Sequence, residues 1–330
     1  MTFLRGDLLN LTRRSCLALL AARAGQAAHD PLLDRWRRIA RQTDGTVGAS
    51  ALHLPSGRHV SLNGADPFPL ASVCKLPIAI QILALVDEGK LKLRDEIEIP
   101  VYDVVPSVSP IADRWREQRR FPLDEMLELM IAKSDNTAVQ TLFRMAGGAD
   151  GMAARFLQWQ IDGMRVDRSE RQCGLEAVGV RQIPPVEQWT PEMAGQLTQQ
   201  VPPLARVAAM RRFLSDRRDT ATPDATVALL RKAFRGELLS PPLTARLVAI
   251  MRATTTGESR LKGQLPTGTI VAHKTGTTAT AGNLTGSTND VGVIAGTLAI
   301  AVYIKAATRS QALRDRVIAQ FARAAFDSMP

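Results

Sequence analysis

Histidine and cysteine are scarce in this 330-residue chain, with four and three copies respectively. With only His29, His53, His59 and His273 available, a Ser-His-Asp arrangement has few candidates, and none of them lies in a glycine-rich nucleophile turn. No two Cys or His residues show ligand spacing, which excludes a zinc site, and neither metal nor cofactor is expected. Internal repeats and low-complexity linkers are also absent. What remains is the composition of an ordinary folded, enzyme-sized protein, 45% hydrophobic and 22% charged. The net charge of +10 is spread over short runs, at Trp36-Arg37-Arg38, Arg114 to Arg120, and Arg211-Arg212 with Arg217-Arg218, most of them interleaved with acids. No groove-reading motif accompanies them, so the pattern predicts a solvated basic surface and no nucleic-acid partner.

Thr12-Arg13-Arg14-Ser15-Cys16-Leu17, followed by Ala-Leu-Leu-Ala-Ala, resembles a twin-arginine export signal, with small residues from Ala24 to Ala28 where a peptidase could cut. The other reading of residues 1–28 is a basic amphipathic helix. The stretch is too short and too charged to span a membrane, so no stable membrane insertion is expected. Export predicts a periplasmic or secreted protein. A chain cleaved there keeps only Cys74 and Cys173, so at most one disulfide is possible. Nothing suggests an oligomer, and a monomer is the default.

The remaining elements fall into three blocks. Leu32, Leu33, Trp36, Ile39 and Ala40 have helical spacing, and alternating runs from Val47 to Leu54 and His59 to Leu62 flank Pro55-Ser56-Gly57 as a hairpin. A helical block follows, with helices predicted from Ser72 to near Gly89, over Leu123 to Ala132, Asn136 to Met145 and Ala149 to Trp159. Gly163 to Gln188 lacks periodicity and reads as a long, functional loop. Thr222-Pro223-Asp224 and Ser240-Pro241 are helix starts. Strands are then predicted at Thr269 to Lys274, Asp290 to Ala295 and Leu298 to Lys305, before a helix from Ser310 to Asp327. The expected fold is α/β (α+β): one antiparallel sheet shared by residues 29–67 and 220–330, flanked by helices, with an all-helical subdomain inserted over 68–219.

Ser-x-x-Lys puts a hydroxyl and an amine one helical turn apart on one face, within reach of proton transfer once the amine is desolvated and neutral. The pair occurs twice, at Ser72–Lys75 and Ser259–Lys262. Ser72 starts a long apolar helix, whose free N–H groups and dipole favour an oxyanion, whereas Ser259 lies in a polar turn region. Ser134-Asp135-Asn136, between two helices, can present a hydroxyl and an amide to a cleft. Lys274-Thr275-Gly276-Thr277 ends a strand, where the Gly permits close approach of a ligand and Lys and Thr can hold a carboxylate. Taken singly, these are a helix N-cap and a strand end.

In this order the three motifs resemble those of the penicillin-recognising serine enzymes, class A β-lactamases and penicillin-binding proteins. The similarity extends to Arg168-Ser169-Glu170, where class A enzymes carry their Ω-loop glutamate, and to Thr256-Gly257-Glu258-Ser259-Arg260 ahead of the strand. It covers about residues 30–328.

The resemblance implies a β-lactamase fold and hydrolysis of β-lactam antibiotics, a small-molecule substrate. Ser72 would be acylated, with its own N–H and that of Thr277 as oxyanion hole. Lys75, or Glu170 through water, would take the proton. Ser134 would protonate the leaving nitrogen, and Glu170 would activate the deacylating water. Asn136 would hold the substrate amide and Lys75, while Lys274, Thr275, Thr277 and Arg260 would bind the substrate carboxylate. The alternatives are a DD-peptidase or a slowly deacylating penicillin-binding sensor. This chain departs from the family pattern at three places. Val108 stands where an aromatic gatekeeper precedes Ser109-Pro110. Gly174 replaces the water-holding Asn four residues after the glutamate, and Ile183 replaces the Asp that pairs with Arg168. Glu176 and Glu187 are the candidate substitutes for that Asp.

Overall fold

The computed structural model describes residues 30–329. The export signal expected over residues 1–28 lies outside them. The six-stranded sheet is antiparallel throughout. Its strands are β1 (Thr46–His53), β2 (His59–Leu62), β3 (Val271–Thr277), β4 (Thr280–Ala281), β5 (Leu284–Ile294) and β6 (Leu298–Ala307). They run in the order β2-β1-β6-β5-β3, with β4 also pairing with β5.

Both faces of the sheet are covered, and the period-two alternation of its strands shows how. Leu298, Ile300, Val302 and Ile304 of β6 pack in one core with Val47, Ala49 and Ala51 of β1. Helices α1 (Pro31–Ala40) and α6 (Gln311–Ser328) close that face, locked by Trp36, whose Nε1 donates to Phe321 O at 3.1 Å. The intervening Ala299, Ala301 and Tyr303 face the larger core on the other side. Its centre is helix α2 (Lys75–Asp87), in which Leu76 to Ala84 are all buried. A helix apolar on every side belongs in the middle of a core. Helices α3 (Leu123–Ala132), α4 (Asn136–Met145) and Gly148–Trp159 surround it. No helix among the described residues is long and apolar enough to cross a membrane.

Two expectations are corrected. Residues 163–188 are not irregular throughout: Glu170–Val178 form helix α5, capped by Ser169, whose side chain accepts from Gln172 N at 3.3 Å. Its apolar period was invisible because only Leu175 and Ala177 are buried within it. The loop also continues well past residue 188. Helices Pro191–Gln199 and Pro203–Ser215 follow, and the segment returns at Thr220–Ala221 to pair with Phe68–Pro69. The second correction concerns β5, which begins at Leu284 and not at Asp290. Thr285, Ser287, Thr288, Asn289 and Asp290 are all buried, so its first half has no alternation of apolar and polar residues to read.

Candidate active site

Ser72 lies in a 3-10 turn, Ala71–Cys74, that leads directly into α2. Ala71 before it has a φ of 46°, and Ser134 across the cleft a φ of 60°. Left-handed conformations at non-glycine residues cost energy and cluster at functional sites. Gly276 explains how strand β3 reaches this turn. A Cβ there would stand 2.7 Å from Leu70 O and 3.2 Å from the Ser72 backbone N. The glycine therefore admits the backbone of the serine turn, a closer neighbour than the ligand expected from the sequence.

Ser134 Oγ is the meeting point of two lysines. Lys75 Nζ and Lys274 Nζ each lie 3.1 Å from it. Lys75 also donates to Ser134 O at 2.6 Å and Asn136 Oδ1 at 2.5 Å, and Lys274 to Thr275 O at 2.8 Å. Both lysines are fully buried. Burial pushes the Lys75 ammonium below its ordinary value, against the opposing charge of Glu170. Lys274 is pushed down further, by burial first and then by the charge of Lys75.

The Ser-Asp-Asn segment is held by Asp135, which is buried. Its carboxylate accepts from Ala138 N at 2.8 Å, Ser109 Oγ at 2.9 Å and Ile111 N at 2.8 Å. Val108 sits at a φ of 48°, and its carbonyl accepts the Asn136 N–H at 3.1 Å. The residue is 65% exposed and leaves that side of the cleft without an aromatic wall.

Arg260 is buried and extends beneath the end of β3. Its guanidinium donates to Asp315 Oδ1 at 2.8 Å, Asn289 O at 2.9 Å, Gly276 O at 3.2 Å and Thr277 Oγ1 at 2.7 Å. Thr275 Oγ1 lies 2.6 Å from Thr256 Oγ1. Ser72, Ser134, Asn136, Glu170, Arg260, Thr275 and Thr277 line one cleft of about 630 Å³. Lys75 and Lys274 stand just behind its wall and reach it through Ser134. The second Ser-x-x-Lys pair does other work: Ser259 donates to Asp315, and Lys262 pairs with Glu258 at 3.0 Å.

Glu170 opens helix α5, which is tied to α4 by the Arg171 N–H donating to Gln140 Oε1 at 3.1 Å. The partner of Arg168 is a residue the sequence did not reveal. Asp219 Oδ2 accepts from Arg168 Nε at 2.5 Å, and Asp219 Oδ1 accepts the Asp167 and Arg168 N–H groups at 2.7 and 3.0 Å. Glu176 adds a bond at 2.8 Å, as one of the two candidates, and Asp216 a contact at 3.4 Å. Glu187 makes no such bond among the described residues. The only signal that could have found Asp219 was the Asp-Thr-x-Thr-Pro run before the next helix start. Asp219 O also accepts the Leu70 N–H at 2.9 Å, so one residue connects the glutamate loop to the serine segment. Cys74 and Cys173 both line the cleft, and both are free thiols.

An antiparallel sheet packed between helical layers, with a serine, two buried lysines and a loop glutamate gathered at one cleft, defines a serine hydrolase of the class A β-lactamase type. The chain belongs to the β-lactamase enzyme family, whose pattern matches residues 31–329. It is 27% identical over 304 residues to β-lactamase VEB-1 of Pseudomonas aeruginosa, covering 90% of each chain. It is 28% identical to the extended-spectrum β-lactamase PER-1 of the same organism, covering 91% of this chain and 88% of that one. Among solved structures, a β-lactamase from Chitinophaga pinensis DSM 2588 superposes with a TM-score of 0.76 at 30% identity, over 91% of this chain and 100% of the other.

Proposed function

We propose that this enzyme opens the β-lactam amide through an acyl-enzyme on Ser72 and releases the product with water directed by Glu170. The observation that carries the reading is Ser134 Oγ at 3.1 Å from both lysine nitrogens, on the wall of the cleft that also holds Ser72 and Glu170. Lys274 can only donate to this oxygen while it is an ammonium, which leaves the Ser134 proton free to point at Lys75 or at a leaving nitrogen. Lys75, desolvated and lowered in pKa, is suited to accept the Ser72 proton directly, or to remain charged while Glu170 acts through water. Ser134 then returns a proton to the lactam nitrogen. The Ser72 and Thr277 N–H groups serve the tetrahedral oxyanion, and Lys274, Arg260, Thr275 and Thr277 bind the substrate carboxylate.

Glu170 at the first position of a helix pinned by Arg168 and Asp219 favours hydrolysis over a peptidase or a sensor that stays acylated. The enzyme acts in the periplasm or outside the cell, reached by the signal read over residues 1–28, and works as a monomer.

Intact mass after mixing with a penicillin, read beside turnover of a chromogenic cephalosporin, tests the mechanism. Wild type turns over, Ser72→Ala does not, and Glu170→Gln accumulates a covalent adduct. Turnover surviving in Ser72→Ala would sink the mechanism, and a lasting adduct in wild type would favour the sensor.

A further inference from the structure

Immediately before Lys274 on β3, His273 is fully buried, and so is Asp290 on the neighbouring strand β5. His273 Nδ1 lies 2.9 Å from Asp290 Oδ1 and 3.0 Å from Oδ2. A carboxylate only accepts, so Nδ1 carries the proton. Nε2 is buried with no partner among the described residues. Asp290 Oδ2 also accepts the N–H of Leu261, next to Arg260, at 3.2 Å. Gly292, opposite His273 in the register, makes room for this packing: a Cβ there would meet His273 Cα and Cβ at 2.7 Å. Neither His273 nor Asp290 lines the cleft, and no step above uses them.

A carboxylate taken fully out of water persists only where donors or cations compensate it. Here two donors hold it, His273 next to Lys274 in sequence and Leu261 next to Arg260. The charges that act on Lys274 are Lys75 from α2, Arg260 from the segment before β3 and Asp290 from β5, whose side chain lies with Thr275 and His273 on the other face of the sheet. Lys75 and Arg260 both disfavour a third positive charge. The Cys74 thiol is pushed up to about 12, chiefly by burial, and is neutral near pH 7. Of the other acids in the region, Asp315 is engaged by Arg260, Asp135 by Ser109, Ile111 and Ala138, and Glu170 acts on Lys75.

We propose that Asp290, oriented by His273, is a positioning residue for substrate binding. It fastens the Arg260–Leu261 segment to the sheet through the Leu261 N–H and places a negative charge next to Val291, the register partner of Lys274. This rests on the reading of Lys274 as a ligand for the substrate carboxylate.

The test is kcat and KM for a carboxylate-bearing penicillin from about pH 5 to about pH 10, in wild type, Asp290→Asn, His273→Asn and Lys274→Ala. Asp290→Asn should raise KM roughly tenfold, change kcat by less than about threefold, and bring the alkaline limb of kcat/KM down by about one pH unit. His273→Asn keeps the carboxylate charge and should leave the alkaline limb where it is in wild type. If Asp290→Asn does not fold, Asp290→Ser, which leaves room for water, is read the same way. Wild-type KM and limb in the Asp290 variant, with only a lower melting temperature, would overturn the proposal. A wild-type KM in Lys274→Ala would instead overturn the carboxylate reading on which it rests.

Discussion

Arg168 and Asp219, 51 residues apart in sequence, form the buried ion pair that closes the loop carrying Glu170. The Arg168 side chain is 2% exposed, so its compensation is decided by these few carboxylates. Asp219→Asn removes one of them. We expect a loss of about 3 kcal/mol in urea unfolding, at the lower end for a broken buried pair because Glu176 and Asp216 remain. Deacylation should slow more than acylation, and an unchanged urea midpoint would refute the assignment.

The same cluster predicts acid sensitivity. Burial acts to raise the Glu176 and Asp216 carboxyls, but hydrogen bonds from Arg168 and Gln172 to the first, and from Arg218 to the second, bring both below their ordinary values. A carboxyl depressed in the folded state contributes stability above its unfolded pKa of about 4 and loses that contribution as pH falls through the folded value. Melting temperature should therefore drop as pH is lowered below about 4. Glu176→Gln should show a shallower drop, and parallel curves would exclude Glu176 from the cluster.

Gly276→Ala should cripple acylation. The added methyl would meet Leu70 O at 2.7 Å and Val73 N at 3.1 Å, both backbone atoms, so the serine turn or β3 has to move. A displacement of this kind costs about a hundredfold in rate. Rapid-mixing mass spectrometry of the adduct measures it, with circular dichroism to show that the chain still folds.

Gly174 lies inside helix α5, and a Cβ there meets nothing within 4 Å. Gly174→Ala should stabilise the protein by about 0.5–1 kcal/mol through lower backbone entropy in the unfolded chain. A lower melting temperature would show that the empty space holds something the enzyme needs, such as ordered water.

The two cleft thiols should be sluggish. Burial drives the Cys173 thiol well above its ordinary value, and Cys74 reaches about 12. At pH 8 the Cys74 thiolate is then about one part in ten thousand. Reaction with a disulfide reagent should be slow in native enzyme and fast after unfolding. Both side chains are half-buried at the cleft wall, so equal rates would contradict the raised thiols.

Much of the fold could be read locally. The helices Leu123–Ala132 and Asn136–Met145 follow from apolar spacing and an Asp135 cap, and β6 from an apolar run, Leu298 to Ile304, rich in β-branched residues. Helix α5 and the first half of β5 could not, because neither has an apolar face set against a polar one.

Residue type and spacing by themselves determined which side chains are proposed to carry the chemistry: Ser72 with Lys75 one turn on, Ser134 with Asn136 two residues on, and Lys274 to Thr277 at a strand end. Such motifs are short-range, and local backbone geometry keeps their members together. Only the tertiary structure decided that Ser134 bridges both lysines, that Gly276 admits the serine turn, and that Asp219 holds Arg168 in place of a residue near Ile183. Those relations join segments separated by 51 to 206 residues. Charge compensation and steric fit act through space, so Asp219 meets Arg168 although helices α5, Pro191–Gln199 and Pro203–Ser215 lie between them in sequence.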